Sequence, residues 1–250
     1  MPETKDHHRI FLDAVDSFRQ ADSIDELWSR LHRVLEAYGV GGIFYGWIIM
    51  PSPGSRKEHH SFVLSSYNQE YLDIKLSEEY FEHDPYYNKV FEVEDDMIWS
   101  DFKILETFTE MELKSTELDF DYNIVTGVTL PFRFAGNLGF SGCSLHAPSL
   151  SWRAFERLWQ EKGRLLRAIV CAFDVCLRER HTRSIHPLTA RESECLQWIA
   201  AGLRPQQIAF RFGTHVKTVE KQLADARAKL QANNTAQAVA KALILGLIEI

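Results

Sequence analysis

Between Leu188 and Ile248 the chain reads as a capped helix, a short second helix, a glycine turn and a longer basic helix, an order that leaves few possible folds. Thr189 can cap the first helix, and Glu192, three residues on, can reach back to close a capping box. Leu188, Cys195, Leu196, Ile199 and Ala200 give that helix an apolar face, and Gly202 ends it. A second helix is expected from about Pro205 to Phe212, because proline is tolerated in a first turn, where its missing amide hydrogen has no partner to lose. Ile208, Ala209 and Phe212 face its core. Gly213 supplies the tight turn, Thr214 or His215 the next cap, and a third helix runs to about Leu230 with Val216, Val219, Leu223 and Ala226 inward. A fourth, Thr235 to Leu247, is almost entirely small or aliphatic.

The third helix carries Lys217, Lys221, Gln222, Arg227 and Lys229 on its remaining faces. Alone, a basic amphipathic helix is an ordinary solvated surface. Behind a capped helix and a glycine turn it reads as the second helix of a helix-turn-helix, suited to the major groove of DNA. Arg204, His215, Lys217, Thr218, Lys221, Gln222 and Arg227 are the candidate DNA contacts. Charge supports the division: the chain carries a net charge of -7, but residues 186–250 hold 8 Lys and Arg against 5 Asp and Glu. That leaves the first 185 residues at -10, so the attraction for phosphate is concentrated in the last part.

The boundary is expected in residues 179–187, a polar run closed by Pro187, whose ring disfavours helix at His186. Residues 1–178 then form one domain and 188–250 another. In the first, Ile10 to Phe18 and Ile24 to Tyr38 have helical periodicity, and Ile43 to Met50 and Ser61 to Tyr67 read as strands joined by a turn at Pro51, Pro53 and Gly54. Glu110 to Asp119 is expected to be helical. Val125 to Phe134 and Gly139 to His146 form a second strand pair around Ala135, Gly136 and Asn137. A long helix capped by Ser149 or Ser151 buries Phe155, Leu158, Trp159, Leu165, Leu166, Ile169, Val170, Phe173 and Leu177. The fold class is therefore α+β: an N-terminal α/β/α sandwich with an antiparallel sheet, joined to an all-α four-helix helix-turn-helix domain.

Hydrophobic residues make up 45 % of the chain, ample for two cores. The longest apolar run, Gly41 to Met50, is far shorter than the roughly 20 residues of a membrane helix, so a cytoplasmic protein is expected, with no membrane partner. Cys143, Cys171, Cys176 and Cys195 lack metal-ligand spacing and read as free thiols, so no metal is expected. Enzyme chemistry has little raw material. His83 with Asp84, and the pair His59-His60, come without a nucleophile motif or phosphate loop.

Leu188-Thr189, Arg191-Glu192, Leu196, Trp198, Ala200, Gly202, Ile208-Ala209, Thr218-Val219, Lys229-Leu230, Asn234 and Ala238 through Ile248 resemble the DNA-binding module of LuxR-type regulators. In the first domain Tyr67, Asp84-Pro85, Trp99 within Met97 to Asp101, and Gly127 fall at the spacings of that family's autoinducer-binding domain, so the resemblance spans essentially the whole chain. It implies a quorum-sensing transcription regulator that takes an N-acyl-homoserine lactone and no other cofactor. The partners it implies are double-stranded DNA at a palindromic site, a second copy of the chain, and RNA polymerase; the aliphatic fourth helix, one face of which must pack on its own domain, offers the remainder to that second copy. Asp84 would accept from the ligand amide, Trp99 donate to the lactone carbonyl, and Tyr67 donate to the acyl carbonyl. Gly127 would leave room, and Ser141 and Cys143, same-face neighbours on a strand, would line the cavity.

Two positions depart from the family pattern in the cavity: Tyr71 stands where a Trp is usual and Lys75 where a Tyr is usual. A buried, unpaired ammonium is costly. Lys75 must therefore snorkel to solvent, pair with an acid such as Glu78 or Glu79, or meet a polar or anionic ligand. The last possibility keeps open a non-lactone signal or a protein partner. In the DNA module Gln222 replaces a frequent His, Thr235 a frequent Arg, and Leu203-Arg204 a usual Lys-Ser or Lys-Thr, which implies altered operator affinity.

Overall fold

The computed structural model describes residues 2–49, 62–100 and 106–249. The expected turn at Pro51, Pro53 and Gly54, the His59-His60 pair and Asp101 lie outside them, as do the side chains of Glu78 and Glu79. The described chain divides into two compact units, Met1–Val175 and Cys176–Ile250.

In the first unit α1 (Pro2–Arg19) and α2 (Ile24–Glu36) precede strand β1 (Gly42–Ile49). Ser23 caps α2 by accepting from the Glu26 N–H, and Leu27, Leu31 and Leu35 form its buried stripe at the helical spacing of four. Strand β2 (Phe62–Ser65) pairs antiparallel with β1, with Tyr45 opposite Leu64. The strands β3 (Met97–Ile98), β4 (Gly127–Phe134) and β5 (Gly139–His146) complete one antiparallel sheet in the order β2-β1-β5-β4-β3. The β4–β5 connection is a tight turn in which Ala135, Gly136 and Asn137 all adopt positive φ.

Alternation along the strands assigns each face a role. Tyr45 points to one side, where the ring of Phe173 on α7 (Trp152–Ile185) meets it edge-on at 5.3 Å and Phe18 of α1 packs beyond. The opposite face is covered by short helices: α3 (Gln69–Lys75), α4 (Glu78–Phe81), α5 (Pro85–Lys89) and the longer α6 (Glu110–Asp121). Helices on both faces of an antiparallel sheet give the expected α/β/α sandwich.

Helix α7 runs further than its apolar pattern suggests: the polar run from residue 179 is helical as far as Ile185. Leu177, His181 and Thr182 are buried along it, and only Pro187 stops the backbone.

The second unit holds α8 (Ala190–Ala200), α9 (Pro205–Phe212), α10 (Val216–Lys229) and α11 (Thr235–Ile244). The Thr189/Glu192 capping box is present. Gly213 takes φ of 62° between α9 and α10, a left-handed geometry that glycine adopts without strain. Glu192 is buried and pairs with Lys229 at 2.8 Å, tying the first helix to the end of the third. No helix among the described residues is long and apolar enough to cross a membrane.

Candidate functional site

A cavity of about 140 Å³ lies between the sheet and the α3–α6 layer. A single water needs roughly 10–15 Å³ on such a measure, so the space suits a small molecule rather than isolated waters. Its walls are mostly aromatic, from Phe44 on β1 through Tyr86 and Phe91 to Phe140 on β5. The sheet contributes Phe44, Gly46 and Ile48 from β1 and Phe140, Gly142 and Ser144 from β5, the parity opposite to that facing α7, and Trp47 of β1 also reaches the lining.

Of the residues expected at a ligand site, Tyr67, Tyr71, Lys75, Asp84 and Trp99 converge on this cavity. Asp84 is the N-cap of α5: one carboxylate oxygen accepts the Tyr87 N–H at 2.7 Å, the other the Lys75 ammonium at 2.9 Å. Pro85 is buried at the first helical position, where it starts α5 and does not line the cavity. The Trp99 indole N–H donates to Thr129 Oγ1 at 3.0 Å, and Thr129 in turn shares a hydrogen bond with Ser144.

Lys75 neither reaches solvent nor waits for an anion. It is 6 % exposed, and its ammonium meets both Asp119 oxygens at 2.8 and 3.0 Å, Asp84 at 2.9 Å, and the Ser115 hydroxyl and carbonyl. Its three hydrogens are thereby engaged. Burial pulls the Lys75 ammonium down, but Asp84 and Asp119 outweigh it and hold the group above its ordinary value. Burial raises Asp119 to about 6, against the pull of Lys75. The Tyr71 hydroxyl donates to Asp119 at 2.7 Å, and burial, then the charge of Asp119, pushes that phenol far up.

Tyr67 is different: its hydroxyl is buried without a hydrogen-bond partner among the described residues. Its ring is wedged between Phe44, Tyr71 and His146. An unmatched buried donor costs about 1–3 kcal/mol unless something fills the space beside it.

Gly127 is needed for close approach. A Cβ there would stand 2.2 Å from the Leu145 carbonyl oxygen and 2.6 Å from the Trp99 ring, so glycine lets that ring lie on the strand backbone. Ser141 and Cys143 do share a strand face, but the wrong one. Both are buried toward α7, where the Ser141 hydroxyl and the Tyr45 phenol each donate to Asp174 at 2.7 Å. A period of two fixes this: with Phe140, Gly142 and Ser144 on the cavity, the odd positions face away.

The residue that sequence reading missed is Asp119. One signal was present, since Ser115 and Asp119 lie four apart on a helix opened by the Thr109/Glu112 capping box and so share a face. Thr129 and Ser144, which hold Trp99, carried no comparable mark.

In the second unit Lys217, Thr218 and Lys221 are exposed on the first turns of α10, with Gln222 half-exposed at their edge. His215 is the exposed N-cap, and Arg204 is exposed as the N-cap of α9. Arg227 lies further along the helix and is half-buried, about 180° around from Thr218 but only about 80° from Lys217. Several other cations have internal work. Lys229 pairs with Glu192, Lys241 donates to the Leu230 and Gln231 carbonyls, Arg211 stacks over Trp198, and Arg191 over Phe212.

Residues 23–175 match the family described as the autoinducer binding domain, and residues 186–242 match bacterial regulatory proteins of the luxR family. The transcriptional activator protein AnoR of Acinetobacter nosocomialis is 24% identical over 238 residues, covering 94% of this chain and 98% of AnoR. The quorum sensing-dependent regulator RpaR of Rhodopseudomonas palustris is 46% identical over 63 residues, 25% of this chain and 26% of RpaR. Among solved structures, SdiA in complex with octanoyl-rac-glycerol superposes with a TM-score of 0.59 at 18% identity, covering 99% of this chain and 97% of SdiA. The crystal structure of Escherichia coli SdiA in the space group P6522 gives 0.55 at 18% identity, covering 93% of this chain and 95% of that one. At such identities these structures bear on the fold alone.

Proposed function

Because this chain belongs to the family of LuxR-type regulators with an autoinducer-binding domain, we propose that its cavity takes up an N-acyl-homoserine lactone or a related small amphiphile, and that binding controls its reading of a palindromic promoter site as a dimer. The protein is a ligand-responsive, DNA-binding transcription regulator of the quorum-sensing class. The observation that carries the ligand reading is the Tyr67 hydroxyl, a buried donor with no partner among the described residues, beside an apolar space rimmed by Asp84 and Trp99. An acyl carbonyl would satisfy Tyr67, and an amide N–H has the remaining lone pairs of Asp84 to donate to. For the lactone carbonyl, the Trp99 N–H would have to exchange its bond to Thr129. The complex of SdiA with octanoyl-rac-glycerol supports a wider reading in which a monoacylated, hydroxyl-bearing head can also enter such a fold.

In this reading residues 1–178 sense and residues 188–250 bind DNA, with Arg204, His215, Lys217, Thr218, Lys221 and Gln222 against the duplex and RNA polymerase as the downstream partner in the cytoplasm. A ligand that binds only the competent state shifts the population toward it. Thermal denaturation against N-acyl-homoserine lactones of graded acyl length tests the first half: at least one should raise Tm in proportion to the logarithm of its concentration, and a flat response to all of them removes the lactone. Footprinting tests the second. Two protected half-sites about one helical turn apart are expected, and a single asymmetric half-site would sink the dimer.

A further inference from the structure

Among the described residues that line the cavity, the charged ones are Lys75, Asp84 and Asp119. They amount to two carboxylates and one ammonium, all within one hydrogen-bonded cluster. Lys75 is the sole cation of that set, and its hydrogens are directed at Asp119, Asp84 and Ser115. It therefore has no free donor for a ligand. The acceptors are less saturated: the Asp84 oxygens each receive one bond, leaving lone pairs on the cavity rim.

We propose that this cluster, with a net charge of -1, selects the head group of the ligand: it admits uncharged or cationic heads that donate hydrogen bonds and rejects anionic ones, including the ring-opened acid of a lactone. The inference rests on the ligand-binding reading above and adds to it the charge class of the head. A lysine at this position suggests an anion site from sequence, and the geometry points the other way, because its charge is already exceeded by two carboxylates. The aromatic wall reinforces the preference, since ring faces attract cations and offer nothing to an anion. In a site with little water, an extra negative charge about 8 Å away at an effective dielectric of about 20 weakens binding roughly thirtyfold.

Three eight-carbon probes differing in head charge test this: octanoyl glycerol, octylammonium and octanesulfonate, the last ionised at all working pH. Affinities for the full-length protein are measured by calorimetry. The expected order places octanesulfonate roughly thirtyfold below octanoyl glycerol and octylammonium above it. Asp119→Asn brings the cluster to zero and should close most of that gap. The pair Lys75→Met with Asp119→Leu removes the salt bridge but leaves Asp84 at -1, so exclusion of the anion should persist, whereas a purely structural role for the bridge would treat both variants alike. If Asp119→Asn does not fold, the wild-type order and the double variant still decide. Equal affinity for all three heads, or an unchanged ratio in Asp119→Asn, overturns the charge selection and leaves the ligand reading standing. Failure of all three probes and of every lactone overturns both.

Discussion

Lys75 and Asp119, 44 positions apart in the chain, form a buried ion pair at 2.8 Å that joins α3 to α6 at the rim of the cavity. Ser115 and Tyr71 complete its hydrogen bonds, so the pair is held on all sides and shielded from solvent. Removing one partner differs sharply from removing both.

Lys75→Met leaves Asp84 and Asp119 close together without their shared cation. Breaking a buried pair in this way costs about 3–5 kcal/mol, whereas replacing both partners with apolar residues is often near neutral. The single variant should lose that much in a urea titration, and Lys75→Met with Asp119→Leu should recover part of it, since Asp84 keeps the Tyr87 N–H but loses its cation. Equal losses in the two would show that the pair contributes little.

Asp119 sets a pH dependence of definite sign. Its folded carboxyl is raised to about 6 from an ordinary 3.8, chiefly by burial, so the native state holds a proton that the unfolded state releases. Stability from this group is fully present below about 3.8 and is lost as pH rises through about 6. Between those values Asp119→Asn should differ from wild type by a slope of this sign in ΔG against pH. Parallel curves would remove Asp119 as the titrating group.

Gly127→Ala forces a methyl against the Leu145 carbonyl and the Trp99 ring. The strand pair or the ring must move, and overpacking of this kind costs about 1–3 kcal/mol. Because Trp99 would leave its hydrogen bond to Thr129, its fluorescence should change along with the loss in Tm. A variant with unaltered emission and stability would contradict the contact.

On the DNA side, Lys217→Ala and Lys221→Ala should each weaken binding across all sequences and lower the slope of log affinity against log salt by about 1. Arg227→Ala should lower that slope less, since Arg227 is half-buried near the far end of α10 while Lys217 and Lys221 are exposed. A loss in Arg227→Ala equal to that in Lys217→Ala would mean that the helix docks differently from the way its exposed face suggests.

How much of this was readable in the chain differs from place to place. The strand Gly139–His146 and the capping box at Thr189 and Glu192 were legible because each is written in consecutive residues. The covering layer of the cavity was not. Helices α3, α4 and α5 span seven, four and five residues, too short to display a helical period, and they begin at Asn68 and Asp84 caps that look like ordinary turn residues. The long helix runs past its apolar pattern, since residues 179–185 are polar although His181 and Thr182 among them are buried.

By itself the sequence determined the two kinds of element and the basic helix behind a glycine turn, which are matters of local propensity and period. The positions Tyr67, Asp84, Trp99 and Gly127 were marked by the resemblance to the family. Only the tertiary structure decided what Lys75 means. Its partner Asp119 arrives from a helix 44 positions away, and a charge buried among side chains takes its character from whichever groups the fold brings within about 4 Å. The same holds for Ser141 and Cys143: alternation puts them on one face of β5, but packing against α7 decided that this face looks away from the cavity.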